Sequence, residues 1–201
     1  MYTYPFKLEK LINEISKLPG IGPKMAERTA IYIFKKGQPA ADALSEALGG
    51  IKDIKFCLIC GNISAADTCA VCSDEKRDKG AICVVESPED VITIEHTGKH
   101  SGVYHVLYGL INPLNNILPD NLKIRQLLKR SEKTENIREI ILAINHTVEG
   151  DATSLYIADA VKTANPDIKI TRLAKGLPTG SDIKYADEIT LGQAILERKE
   201  I

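Results

Sequence analysis

The chain has no apolar run approaching the ~20 residues that a membrane-spanning helix needs. It has no G-x-x-x-x-G-K-[ST] loop, so a P-loop ATPase is excluded. It has no internal repeat and no low-complexity tract, which rules out solenoid and linker-like readings. Charge of neither sign dominates: the net charge over 201 residues is −1, so any polyanion must be held by local clusters. The opening MYTYPFKLEK lacks the basic-then-apolar pattern of a secretory signal. Apolar residues make up 44% of the chain and charged residues 26%. The expectation is a cytoplasmic protein with no membrane partner, folded as one large domain or two small ones.

Residues 8–18, LEKLINEISKL, set Leu8, Leu11, Ile12, Ile15 and Leu18 on one helical stripe. Pro19 and Gly20 end that helix. Pro23 opens a second, running to about Gly37, and a weaker third follows Pro39. From residue 81 the texture changes. AICVV, VYHVLYG, EIILAIN and KITRLA read as strands, separated by the helix candidates PEDVITIEH, NLKIRQLLKR and ATSLYIADAVKTA. Such alternation implies parallel strands with crossover helices, whose chemistry gathers at the strands' carboxyl ends. The last stretch, SDIKYADEITLGQAILERKEI, reads as a short strand and a helix.

Between these regions lie Cys57, Cys60, Cys69 and Cys72, spaced C-x2-C-x8-C-x2-C. Two turns, each offering two thiolates, suit the tetrahedral demand of Zn²⁺, and Gly61 suits the tight turn that aims backbone amides at the sulfurs. A disulfide pair or free thiols are the alternatives, and a cytosolic setting disfavours the disulfides. Four thiolates leave no open position for water, so one structural ion per chain is expected, stabilising a small module by roughly 10–16 kcal/mol. Cys83, inside AICVV, reads as a buried core thiol.

LPGIGPKMAER joins the first two helices through a glycine-containing turn. Gly20 and Gly22 let backbone approach a ligand, and the second helix begins there with unpaired amides and a positive dipole end. Lys24 and Arg28, four apart, share a helical face. Together they suit successive phosphates rather than bases; an ordinary hairpin with two solvated cations is the bland alternative. Arg77 and Lys79, in EKRDK, are candidates for extending the basic track.

The succession of LPGIGPKMAERTA, the cysteine spacing, AICVVESPEDV, TGKHSGVYHVLYGLINPL, AINHTVEGDATSLYIA, RLAKGLPTG and YADEITLGQAI resembles the RecR family of bacterial recombination mediators over essentially the whole chain. Departures are small: Asn112, His146 and Asp151 stand where the family often has Ser, Pro and Glu. The resemblance implies a mixed α/β chain with an all-α N-terminal part. Residues 1–55 would be a helix-hairpin-helix DNA-binding region, 56–79 a four-cysteine zinc finger, 80–174 a parallel-sheet Toprim domain and 175–201 a C-terminal Walker B-like strand-helix segment. It also implies a homotetrameric ring, a dimer of dimers, that clamps single- or double-stranded DNA. Such a ring works with RecO and RecF to load RecA, in the cytoplasm and on the nucleoid during repair.

A catalytic Toprim site needs a Glu after its first strand and an Asp-x-Asp after a later one, because Mg²⁺ gathers several anionic oxygens. Glu86 meets the first requirement. Alignment with the topoisomerase form puts Asn145 and Thr147 at the two aspartates, with Glu149 and Asp151 just beyond. Losing two carboxylates removes the charge that phosphoryl transfer depends on, so no catalytic residues are assigned and the chain is read as a non-enzyme. The alternative is a metal-dependent Toprim nuclease or primase-like enzyme using Glu86, Glu149 and Asp151. The retained acidic groups are instead expected to meet a basic partner, RecO being the family's candidate. Glu149 and Asp151 also suit the start of the helix at ATSLY.

Overall fold

The computed structural model describes residues 4–133 and 136–198, and the chain divides into two compact units, Met1–Ile54 and Lys55–Ile201. In the first, α1 (Phe6–Ser16), α2 (Pro23–Lys36) and α3 (Gln38–Gly50) follow one another, with Pro at the start of both α2 and α3. Proline is tolerated there because a first-turn N–H has no intrahelical partner anyway. Helix α1 stops at Ser16, ahead of Pro19, and Gly20 (φ +78°) takes the left-handed conformation that turns the chain into α2. Helices α1 and α2 pack on each other. Ala26 and Ala30, one turn apart on α2, are fully buried. They are the only buried residues described in this unit, while Phe6, Tyr32 and Phe34 are 62–78% exposed.

The second unit opens with a small antiparallel ribbon, β1 (Lys55–Phe56) and β2 (Ile63–Ser64), and a single helical turn, α4 (Ala70–Ser73). Then come β3 (Asp78–Val85), α5 (Pro88–His96), β4 (Gly102–Val106), α6 (Ile124–Lys133), β5 (Glu139–Ala143), α7 (Val148–Ala164), β6 (Lys169–Arg172) and α8 (Glu188–Leu196). The four long strands form one parallel sheet in the order β4-β3-β5-β6. Strand residues alternate between faces. Ile82, Val84, Ile140 and Leu142 therefore pack with Leu127 of α6 and Ile157 and Val161 of α7. Cys83, Val85, Tyr104, Val106 and Ala143 meet Val91 of α5 on the other face. Cys83 is a core thiol, its pKa pushed up to about 12 by burial.

Two expectations are corrected here. The residues before α8 form a 3-10 turn at Ile183–Tyr185, and the strand toward this end of the chain is β6; the last three residues of the C-terminal segment lie outside the described ones. Arg77 belongs to no basic track. It is clasped by the Glu95 carboxylate, donates to the carbonyls of His100 and Gly102 at 3.1 and 3.3 Å, and shares Glu95 with the Tyr104 hydroxyl. Lys79 is exposed.

Edge strand β4 leaves alternate backbone groups without a sheet partner, a row that must be covered if it is not to pair elsewhere. Arg77 covers the Gly102 carbonyl, Arg130 donates to the Tyr104 carbonyl at 2.7 Å, and the Val106 N–H donates to the Cys60 carbonyl at 2.8 Å. The cysteine module thereby seals one sheet edge.

Candidate functional site

The four cysteines converge. Their sulfurs lie within 4.8 Å of one another and all four side chains are buried. Cys57 and Cys60 flank the first turn, which Gly61 closes by donating to the Cys57 carbonyl at 2.9 Å. Cys69 and Cys72 sit at the N-cap and within α4. Backbone amides point at the sulfurs: Asn62 N–H at 3.4 Å from Cys60 Sγ and Cys69 N–H at 3.3 Å from Cys57 Sγ. Burial pushes the Cys57 thiol up, but the N–H groups of Cys69, Cys60 and Ile59 outweigh it and hold it at about 7; burial raises Cys69 to about 11. Four soft donors with amide support fit a tetrahedral Zn²⁺, which displaces these protons on binding. No other described group of three or more His, Cys, Asp or Glu side chains brings its ligand atoms together in this way.

In the helical hairpin, the Ile21 N–H closes a turn on the Leu18 carbonyl at 3.1 Å and Gly22 is the N-cap of α2. Gly22 has no side chain to cap the first-turn amides, and the space beside Gly20 and Gly22 is open. Lys24 and Arg28 are exposed on adjacent turns, and neither forms an ion pair among the described residues.

The acidic residues line up along the carboxyl edge of the sheet because Val85 and Ala143 are in register. Asn145 Nδ2 donates to Glu86 Oε2 at 3.3 Å, and Asn112 Nδ2 donates to Glu149 Oε1 at 3.4 Å. Helix α7 starts at Val148, four residues earlier than ATSLY suggests, so Glu149 and Asp151 lie inside its first turn. The cap is Thr147, whose hydroxyl accepts from Gly150 N–H at 3.1 Å. A Cβ on Gly150 would stand 2.0 Å from the Asn145 carbonyl oxygen, so only glycine allows the helix to begin against this loop. Glu149 and Asp151 thus complement the helix dipole without capping it.

Asp151 is held within the chain. Arg172, at the end of β6, reaches Asp151 Oδ1 at 2.6 Å as an ion pair without hydrogen-bond alignment, and Lys175 approaches Oδ2 at 3.7 Å. The Arg172 guanidinium holds the Asp151 carboxyl below its usual range. Burial, with the nearby Arg172 and Lys175 charges, lowers the pKa of His146. Glu86 and Glu149 have amide partners instead, and no cation lies in ion-pair range of either among the described residues. The sequence reading missed Arg172 and Lys175. Their signal was their position at and just beyond the end of the last strand, since the carboxyl ends of parallel strands share an edge.

Comparison with known proteins matches successive parts of the chain to four family descriptions. These are the RecR helix-hairpin-helix over residues 8–51, the RecR four-cysteine zinc finger domain over 54–74, the Toprim domain over 80–174 and the RecR C-terminal region over 176–199. The protein named Recombination protein RecR from Tropheryma whipplei (strain TW08/27) is 49% identical over 195 residues, covering 96% of this chain and 97% of the relative. Its namesakes from Bifidobacterium longum subsp. infantis and Ligilactobacillus salivarius are each 46% identical over 199 residues. Each covers 98% of this chain, and 98% and 99% of the respective relatives. The cysteine quartet is accordingly a structural zinc site, one ion per chain.

Proposed function

The chain belongs to the RecR family, and on that basis we propose that it is a non-catalytic DNA clamp in recombinational repair. The observation that carries this reading is the contact between Asn145 and Glu86. In a catalytic Toprim site two carboxylates would face each other here and would need a divalent cation between them. An amide facing the carboxylate satisfies it directly, with no metal required. Beside them, the fixed cations Arg172 and Lys175 already engage Asp151. That arrangement supports a site retired from phosphoryl transfer rather than a nuclease or primase-like centre.

DNA contact falls to the hairpin. Lys24 and Arg28 project from adjacent turns, so their cations match neighbouring phosphates on either single or double strands. One hairpin grips weakly; affinity comes from several copies acting together in a ring tetramer. The thinly buried N-terminal unit, with its large exposed apolar side chains, supports completion by other copies of the chain. Glu86 and Glu149 carry uncompensated charge toward a basic partner, RecO in this family, while Asp151 acts chiefly to fix the edge. Cooperation with RecF, promotion of RecA loading and residence in the cytoplasm, on the nucleoid during repair, complete the reading.

The test is a fluorescence-anisotropy titration of labelled single-stranded and duplex DNA across salt, with the unaltered chain, Lys24→Ala and Arg28→Ala. Log affinity for duplex should fall with log salt by about 0.9 per phosphate neutralised, and each substitution should flatten that slope while zinc content and assembly mass stay unchanged. Unaltered slopes in both variants would remove the hairpin from the DNA interface.

A further inference from the structure

Arg130, on α6, is partly buried and has no carboxylate within ion-pair range among the described residues. Withdrawing a guanidinium from water is unfavourable unless an opposite charge lies nearby. Its hydrogen bond to the Tyr104 carbonyl supplies a dipole and no charge.

The strand edge shows what lies beside it. Leu107 N–H turns inward to the Val85 carbonyl, so the carbonyl of Tyr104 and the N–H of Val106 turn outward. Arg130 takes the first and the Cys60 carbonyl takes the second. Two residues along a strand are about 7 Å, which sets the guanidinium next to the cysteine module. Helix α4, which carries Cys72 and is capped by Cys69, packs on the same strand. A zinc ion with four thiolates carries a surplus of two negative charges. The neutral N–H groups of Asn62 and Cys69 spread that charge and do not cancel it.

We propose that Arg130 is the counter-charge of the zinc centre, a positioning residue that offsets the tetrathiolate's negative charge and fastens the cysteine module to the open edge of the sheet. Lys123, which lines the same hollow as the Cys57–Cys60 turn, is exposed and screened by water. Arginine suits the role because it stays charged when buried and its rigid fork keeps further N–H donors beyond the one given to the Tyr104 carbonyl.

The experiment is zinc competition against a chromogenic chelator in the full-length protein, comparing the unaltered chain with Arg130→Gln and Arg130→Lys. Glutamine keeps an N–H donor but carries no charge; lysine keeps the charge and loses the fork. Arg130→Gln should hold zinc about tenfold more weakly, the lower range for loss of an outer-sphere partner, and Arg130→Lys should recover most of that loss. If Arg130→Gln binds zinc as tightly as the unaltered chain, or Arg130→Lys loses as much as Arg130→Gln, the assignment fails and Arg130 only fills space against β4.

Discussion

His105 offers a test in which the magnitude follows from the structure. The residue is 2% exposed on β4, and its Nε2 faces the Lys123 carbonyl at 2.9 Å. A carbonyl only accepts, so Nε2 carries the proton, and Nδ1 is left buried with no partner. Burial, reinforced by Arg130 and Lys123, drives the pKa from 6.5 to about 4. The unfolded chain therefore takes up a proton near 6.5 that the folded chain refuses until about 4. Stability is fully present above 6.5 and is lost as pH falls through that window. The whole shift corresponds to about 3 kcal/mol, of which about 1 kcal/mol should appear between about pH 7.5 and about pH 5.5. The perturbation is His105→Gln, which keeps a donor for the Lys123 carbonyl and cannot titrate. Urea unfolding at both pH values, with zinc in excess, gives the change for each protein. Cysteine protonation is common to both and cancels in the difference. The unaltered chain should lose about 1 kcal/mol more than His105→Gln on acidification; equal losses would refute a neutral, buried His105.

Three further outcomes follow from the geometry. Gly150→Ala places a methyl group 2.0 Å from the Asn145 carbonyl, so urea denaturation should show a loss of about 1–3 kcal/mol; a change under about half a kcal/mol would mean that the start of α7 yields easily. Cys57→Ser removes one ligand of the zinc site, and metal analysis with circular dichroism should show zinc-poor, incompletely folded protein, whereas a zinc-free variant with native stability would deny the ion its structural role. Glu149→Lys reverses the charge of the half-buried carboxylate in the first turn of α7, and pull-down of RecO should weaken at moderate salt; full recovery of RecO would exclude this edge from the interface.

Features carried by local chemistry were legible in the sequence. Pro88 marks the first residue of α5, Pro23 that of α2, and the cysteine spacing announces its own cluster. The helices between apolar runs fixed the parallel sheet, and through it the common edge of Glu86, Asn145 and Glu149. What escaped depended on contacts between distant segments. Thr147 caps α7 because Gly150 tucks under the Asn145 carbonyl, which periodicity does not report, so the helix begins earlier than its apolar stripe. Arg77 looks like any member of a charged surface run until Glu95, eighteen residues on, closes over it. Asp151 reads as a free carboxylate because its partners, Arg172 and Lys175, arrive with the last strand.

On the proposed reading, the sheet edge at Glu86 holds no catalytic metal, and the protein neither breaks nor makes a phosphodiester bond. Incubation of pure protein with end-labelled single-stranded and duplex DNA, with and without nucleotides, in Mg²⁺ or Mn²⁺, measures this directly. Bound DNA of unchanged length is the expected result. Metal-dependent cleavage or extension that disappears in Glu86→Gln would contradict it.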